Sequence, residues 1–402
     1  MAPGVAESTP SPKFHLSSSL ELTCFALCMA QGVYLIASFL QGSWVLDVDG
    51  QPIATDFVNI WSGGHQILLG EDPAAIYDVQ LHKNAEAAAL GHEFPGEYPW
   101  LYPPTFLLLA GSLALLPFVP AYVAWVTLTF SAYLAAMRGI IQHRAGILLA
   151  CAYPGVLSNI IVGQNGFLSA ALFGGSLLLL QRRPVLAGCF IGLLSFKPHL
   201  GVLFPLVLLA GGYWRTIAAA VATTVLLVVA SCAAFGVQAW AVFFRALPIA
   251  SQAALAEGRA DWGKLQSVFA VTRLLGGSEA LAWTLQLGLA VAVATVLWQL
   301  WRSRISFDLK AAALSVGALL VTPYLFLYDL VLLAIAMAFL IRAGAGSRDA
   351  RLDAYGIGCA SLLVLLFPFL RAPVGLAAVL LVASLVLRRA VGIRVIPALH
   401  SA

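Results

Sequence analysis

Apolar runs of 15 to 25 residues follow one another from residue 20 to the end of the chain, separated by short polar breaks. About 20 helical residues span the roughly 30 Å of hydrocarbon in a bilayer. A helix satisfies its own backbone polar groups, so such runs can remain in lipid. The pattern predicts an all-α polytopic membrane protein. One stretch, residues 41–103, breaks the pattern with mixed polar sequence. Within it, Ile53 to Leu69 places Phe57, Ile60, Trp61, Ile67 and Leu68 at spacings near three and four, until Gly70-Glu71-Asp72-Pro73 ends the helix. Asp78 to Leu90 is Ala-rich and favours helix. Both suit short interfacial helices lying along the membrane, with charged groups toward water.

Basic residues orient the rest. Loops with Arg or Arg pairs are expected on the cytoplasmic side: Arg138 to Arg144, Arg182-Arg183, Tyr213-Trp214-Arg215, Arg302 to Arg304, Arg342 to Arg351 and Arg388-Arg389. Between them lie loops poor in clustered positive charge: 41–103, Gly163 to Gly166, Ser195 to His199, 236–265, Thr322 to Asp329 and Arg371. The alternation gives about twelve crossings with both termini inside. Residues 104–137 strain it. They hold Pro117 and Pro120 and are too long for one crossing, so a crossing plus a tucked piece is expected. Residues 1–19 read as a disordered cytoplasmic tail, 20–390 as one integral membrane domain, 236–276 as a second outer loop and 391–402 as a second tail. Leu22 to Leu40 is too long for the apolar core of a signal peptide, so it reads as a retained helix.

Composition agrees with lipid. The chain of 402 residues is 61% hydrophobic and 10% charged, against about 25% charged in soluble domains. The net charge of +4 comes from scattered loop residues with no basic-aromatic groove, so no nucleic-acid partner is expected. The six cysteines all fall in apolar runs, without metal spacing, and read as small buried residues. Charge matters most in the first outer loop. Nine of the eighteen acidic residues lie in 41–103, accompanied by Lys83 alone among Lys and Arg. An acidic, structured outer loop on a many-helix body points to chemistry on lipid-borne substrates at the membrane surface.

Four polar breaks could carry that chemistry. Asp56 lies next to Phe57, near the first predicted span. Partial desolvation would raise its pKa and suit it to accept a proton, although Asp also serves well as a solvated helix N-cap. Lys197, in Ser195-Phe196-Lys197-Pro198-His199, is a cation within apolar sequence. It suits a lipid phosphate, or it snorkels as an anchor. Gly163-Gln164-Asn165-Gly166 is a tight turn that offers two amides or serves as a plain connection. Thr322-Pro323-Tyr324 to Tyr328-Asp329 closes an apolar run. It is either an aromatic belt or a partner for cations, with Asp329 able to pair with Lys197 or Arg245. All four fall on the predicted outer side, which suggests one outward-opening cavity.

Asp56-Phe57 followed by Trp61, Gly70, Pro73 and Tyr77, then Tyr102-Pro103-Pro104, resembles glycosyltransferase family 87. That family has a GT-C-type fold and includes polyprenol-phosphate-mannose-dependent α-(1→2)-mannosyltransferases acting on phosphatidylinositol mannosides. Gly163 to Gly166, Phe196 to His199 and Thr322-Pro323-Tyr324 resemble its later motifs in the same order, over about residues 50–345. The resemblance implies an inverting transfer from a polyprenyl-phosphate sugar, with Asp56 as base. Lys197, His199, Gln164 and Arg245 would lie near the donor phosphate. Asn165, Tyr102, Tyr324, Tyr328, Asp329 and His65 complete the candidate substrate-binding set. Many relatives carry His after the late motif, where this chain has Tyr328-Asp329.

These readings lead to a membrane glycosyltransferase moving a sugar, mannose first among candidates, to a glycolipid or glycan acceptor. No cofactor and no metal are expected. The resemblance implies a bacterial inner-membrane location, with the site facing the periplasm or exterior. A transporter or flippase of lipid-linked sugars competes with this reading. It would share the apolar body and the isolated Lys, but it would show paired half-helices in repeat positions.

Overall fold

A computed structural model describes residues 17–44, 47, 52–94, 96, 98–346, 349–370 and 372–399. Most of the tail expected at 1–19 lies outside the described residues, as do 400–402. The stretch expected as a second tail continues a helix as far as Leu399.

The described residues fold into helices joined by short turns. Helix α1 (Ser18–Leu40) starts at Ser17, whose hydroxyl accepts the Leu20 N–H. The first outer loop holds α2 (Thr55–Leu68) and α3 (Val79–Leu90). Asp78 caps α3 by accepting the Gln80 and Leu81 N–H groups, and Gly91 ends it in the left-handed conformation. Next come α4 (Pro104–Ala114), α5 (Phe118–Ile141), α6 (Ala145–Ala152), α7 (Gly155–Val162) and α8 (Gly166–Leu179). Then α9 (Pro184–Leu193), α10 (Pro198–Gly201) and α11 (Phe204–Gly211) lead into the long α12 (Trp214–Ser251). The chain closes with α13 (Val268–Leu274), α14 (Glu279–Arg302), α15 (Phe307–Val321), α16 (Val331–Gly344), α17 (Ala350–Leu370) and α18 (Val374–Leu399).

Among the described residues, seven helices are long and apolar enough to cross a bilayer, or eight if the α6–α7 pair, bent by 64°, counts as one span. Four other apolar stretches, including Pro104–Ala114 and Gly166–Leu179, have only 10–17 residues each. The expected figure of about twelve treated every apolar run as a continuous crossing. Breaks at Pro154, Pro184 and Pro198 shorten several of them, because proline removes a helix donor and clashes with the preceding turn. Residues 104–137 divide into the 11-residue α4 and the long α5.

The centre of the body is α15, α16 and α8, which are buried on nearly every face. An all-round apolar helix is stable only when it is enclosed. Outer helices carry the lipid-facing belt: Leu22, Phe25 and Ile36 on α1, Val221, Val225 and Leu226 on α12, and Leu285 and Val291 on α14 are exposed. The same logic explains the cysteines. Cys24 is buried and Cys359 exposed, because an apolar side chain facing lipid needs no protein cover. At the end with the clustered Arg residues, Asp353 of α17 holds Arg388 and Arg389 of α18, and Arg342 of α16 holds Asp308 of α15.

Two features place the functional region. Helix α2 is not an interfacial helix with one face in water. Phe57 to Gly64 are all buried, because α4 and the Trp100 segment cover it. A Cβ at Gly64 would stand 2.1 Å from the Ala110 carbonyl oxygen, so α2 and α4 meet backbone to backbone. Gly236 (φ 77°) breaks α12 into two arms. The second arm turns residues 237–251 of the second outer loop into helix, and its Phe243 packs on Tyr77 at 5.8 Å. The stretch expected to be interfacial at 267–276 contains the seven-residue α13.

Candidate active site

Asp56 occupies the second position of α2, whose N-cap is Ala54. The expectation of an N-cap role is thereby corrected. Its Oδ1 accepts a hydrogen bond from Gln164 Nε2 at 2.8 Å. Gln164 reaches it because Gly163 makes a left-handed turn (φ 66°) at the end of α7. Any Cβ at Gly163 would also meet Phe57 Cβ at 2.5 Å. At the other end of the tetrapeptide, a Cβ at Gly166 would lie 2.2 Å from Asn159 Oδ1 and 2.6 Å from the Tyr328 carbonyl oxygen. Both glycines are therefore required by space. The two amides between them form the hub of the site.

The hub is fully committed. Gln164 Oε1 accepts from Tyr102 Oη at 2.9 Å and from the Asn165 backbone N–H at 2.8 Å. Asn165 Nδ2 donates to Tyr102 Oη at 2.8 Å, and Asn165 Oδ1 accepts from Lys197 Nζ at 2.9 Å. Lys197 Nζ in turn donates to Asp329 Oδ1 at 2.5 Å and lies 5.1 Å from the centre of the Tyr328 ring. Asp329 Oδ2 accepts the Phe326 N–H at 3.2 Å. One unbroken chain thus links Asp56 to Gln164, Tyr102, Asn165, Lys197 and Asp329. Pro198 starts α10 directly after Lys197, so the apolar run stops where the cation is needed.

The electrostatics follow from burial. Asp56 keeps some surface open to solvent, but protein packed around it removes enough water to push its carboxyl up to about 7. Lys197 pulls in the opposite direction and Asp329 adds to the rise, both less strongly than desolvation. The Tyr102 hydroxyl is pushed well above its usual range by burial and by the two carboxylates, so it remains a neutral donor. Lys197 and Asp329 are 6% and 2% exposed, and a buried charge requires such a partner. Lysine has three N–H donors, of which Asn165 and Asp329 engage two.

Three expected members lie elsewhere. Arg245 is exposed on α12 and does not take part in the buried pair, which Asp329 makes with Lys197 alone. Tyr324 packs into a separate apolar cluster around Leu255 and Phe269, with its hydroxyl on Ser251 Oγ at 2.6 Å. His65 stacks on Trp61 at 4.6 Å, nine residues along α2 from Asp56, or roughly 13 Å along the helix axis. His199 is two residues from Lys197, and its Nε2 is buried without a hydrogen-bond partner among the described residues. Sequence reasoning also missed a polar group behind the site. His82 and Glu86 are 1% and 0% exposed, and their i,i+4 spacing on α3 was the available signal.

The site thus joins a paired cation, a carboxyl raised by burial and a polar turn at the end of broken helices. The model of glycosyltransferase family 87 matches residues 100–323. The chain belongs to this family. No curated protein and no solved structure matches it. With its apolar helices, the chain is an all-α, polytopic membrane glycosyltransferase. The match is shorter than the expected 50–345. Tyr102, Gln164, Asn165, Lys197 and His199 of the glycosyltransferase fall within it, while Asp56, Tyr328 and Asp329 lie beyond its ends. Hydrogen bonds join Asp56 and Asp329 to the matched core.

Proposed function

We propose that this glycosyltransferase has a GT-C-type fold and moves a sugar from a polyprenyl-phosphate donor to a lipid or glycan hydroxyl at the outer membrane surface. Mannose is the first candidate sugar. Asp56 is the base. The acceptor oxygen attacks the anomeric carbon on the face opposite the phosphate, and its proton passes to the Asp56 carboxylate. The bond from the anomeric carbon to the phosphate oxygen breaks, and that oxygen keeps the electron pair. The configuration inverts, and the polyprenyl phosphate leaves with one more negative charge than the donor carried. Lys197 stabilises that charge through its third N–H as it develops.

The observation that carries this reading is the hydrogen-bonded chain from Asp56 to Lys197 through Gln164, Tyr102 and Asn165. It holds a proton acceptor and a cation in one rigid frame, as a displacement between a hydroxyl and a phosphate ester requires. Gln164 fixes the carboxylate through Oδ1. His199, with its unpartnered ring nitrogen, is a second candidate contact for the phosphate. The step is proposed to be metal-independent. In this reading Lys197 supplies the positive charge for the departing phosphate. The reading places the enzyme in a bacterial inner membrane, facing outward.

The test is transfer of label from polyprenyl-phosphate mannose to a membrane-lipid extract by purified wild type and Asp56→Asn. Label should appear in a new glycolipid with wild type and not with a folded Asp56→Asn. Transfer from a nucleotide sugar, with every polyprenyl-phosphate sugar inert, would remove the proposed donor. Full activity in Asp56→Asn would remove the base. Activity lost with EDTA and restored by Mg²⁺ or Mn²⁺ would overturn the metal-independent step.

A further inference from the structure

Glu86 is fully enclosed at 0% exposure, and neither carboxyl oxygen has a hydrogen-bond partner among the described residues. Its Oε1 lies 3.6 Å from His82 Nε2, which also lacks a partner. Which of these atoms carries a proton can be read from their neighbours. Gln66 Nε2 donates to Glu71 Oε2 at 2.9 Å, and a carboxylate there can only accept. The Gln66 amide is thereby oriented, and its Oε1 faces His82 Nδ1 at 2.8 Å. An amide oxygen cannot donate, so His82 Nδ1 carries the hydrogen. In the neutral ring Nε2 is then a bare lone pair, turned toward Glu86. An ionised Glu86 would set one acceptor against another in a site closed to water. A proton on Glu86 resolves the clash.

The surroundings favour the neutral form. Burial pushes the Glu86 carboxyl up to about 8 and His82 down to about 4, so a neutral pair is preferred to an ion pair. The facing groups come from every neighbouring element. After burial, the Asn59 amide on α2 and then the Lys83 charge on α3 oppose the rise, and Asp56 on α2 adds to it. Asn59 lies beside Glu86 and gives its Nδ2 to the Tyr98 carbonyl oxygen. Tyr98 is itself pushed upward, by burial first and then by Glu86 and Asp56. Tyr77 commits its hydroxyl to the Tyr102 carbonyl at 2.9 Å. Asn59 follows Asp56 by three residues, so the Glu86 carboxyl lies about one helical turn from the proposed base.

We propose that Glu86 is held as a neutral carboxylic acid facing the bare Nε2 of His82, and that it is a positioning residue for Asp56. His82 Nδ1, on the same helix, donates to Gln66 Oε1 of α2 at 2.8 Å, so a neutral Glu86 preserves this link between α3 and α2 and keeps a second negative charge out of the site. Ionising Glu86 would add a second carboxylate beside Asp56 and set it against the imidazole lone pair of His82 in one dry region. The outer loop would then loosen around Asp56. The role in catalysis rests on Asp56 as base, whereas the protonation state does not.

Infrared spectroscopy tests the protonation state directly. The Asp56→Asn background removes the other titrating carboxyl. At neutral pH this protein should show the C=O stretching band of a buried carboxylic acid. The band should disappear as pH rises past about 8 and be missing from Asp56→Asn/Glu86→Gln. If the double variant does not fold, heavy-carbon labelling of glutamate carboxyls assigns the band in the single variant by its shift. A band that stays when Glu86 is replaced, or does not move with the label, overturns the neutral acid. The positioning role is read from the pH–rate profile. Wild type should lose activity with a midpoint near 8. Glu86→Gln, which keeps a donor for His82 and cannot ionise, should lack that loss and should be more active than Glu86→Ala. An unchanged alkaline loss in Glu86→Gln would end the positioning role and leave the Asp56 reading untouched.

Discussion

Gln164 and Asp56 are joined by a 2.8 Å hydrogen bond between elements 108 residues apart in sequence. The bond ties the first outer loop, which precedes the family match, to the matched core. It also orients the carboxylate. The Gln164 oxygen is already held by Tyr102 and by the Asn165 backbone, so its amide nitrogen can point only toward Asp56. The proposed base is held from across the molecule, while burial raises its proton affinity.

A base pushed up to about 7 makes the rate sensitive to neutral pH. The carboxylate form is required, so kcat/KM should rise with pH through about 7 and level off above it, before any alkaline loss. Lys197 opposes the rise in Asp56 proton affinity, so an infrared titration of the Asp56 carboxyl should show its midpoint at higher pH in Lys197→Met. A rate independent of pH between 5.5 and 8.5, about three units around that midpoint, would show that Asp56 does not accept the proton in the rate-limiting step.

The same groups bear on stability. Asp56 rises from 3.8 to about 7 and Glu86 from 4.5 to about 8 on folding. A raised carboxyl binds its proton more tightly in the folded protein, so its contribution is full at low pH and is lost as pH climbs to the folded value. His82 is lowered from 6.5 to about 4, so it works in the opposite direction below 6.5 and partly cancels the acids there. Above 6.5 the carboxyls act alone. The midpoint of thermal unfolding in detergent should therefore fall between about pH 6.5 and 8. Asp56→Asn should flatten this slope. A slope of opposite sign would contradict the burial of both groups.

Much of this site was legible in the sequence, and the exceptions have physical causes. Gln164, Lys197 and Asp329 stood out because each interrupts apolar sequence, where a polar side chain must find a partner, and Asp56 because it adjoins Phe57 in the acidic loop that follows the first span. Arg245 was misplaced because a cation in an outer loop carries no information about which way it faces. The count of crossings was read from hydropathy, which sees composition and not the prolines that divide apolar runs into shorter helices. Glu86 and His82 were passed over because α3 looks like a solvated surface helix. Its burial depends on the Trp100 segment, whose ring lies 6.0 Å from the His82 ring and which local periodicity does not register.

Lys197 and Asp329 should behave as one unit. Removing one partner of a buried pair leaves an uncompensated charge, which costs about 3–5 kcal/mol. Lys197→Met and Asp329→Leu should each destabilise the protein by amounts in that range. The double variant should be more stable than either single variant, because no charge is stranded. All three should lose transfer, since the phosphate contact is gone. A double variant destabilised by the sum of the two single effects would show that the pair is not coupled.

Tyr102 offers the sharpest test of the frame, because its hydroxyl bridges Gln164 and Asn165 while its ring packs on Phe106 at 4.5 Å. Tyr102→Phe keeps the ring and removes the bridge. Gln164 Oε1 retains the Asn165 N–H, but Asn165 Nδ2 is left buried without its acceptor. A group stranded in this way costs about 1–3 kcal/mol. Part of that cost should appear as reduced stability. The rest should appear as a lower kcat, because the link between the Asp56 amide and the Lys197 amide is cut while both charged groups remain. Substrate affinity should change less than turnover, since the phosphate cation keeps Asp329 and its place. If Tyr102→Phe instead raised KM and left kcat alone, the tyrosine would be touching substrate, and the frame would be held by the two glycines of the turn without its help.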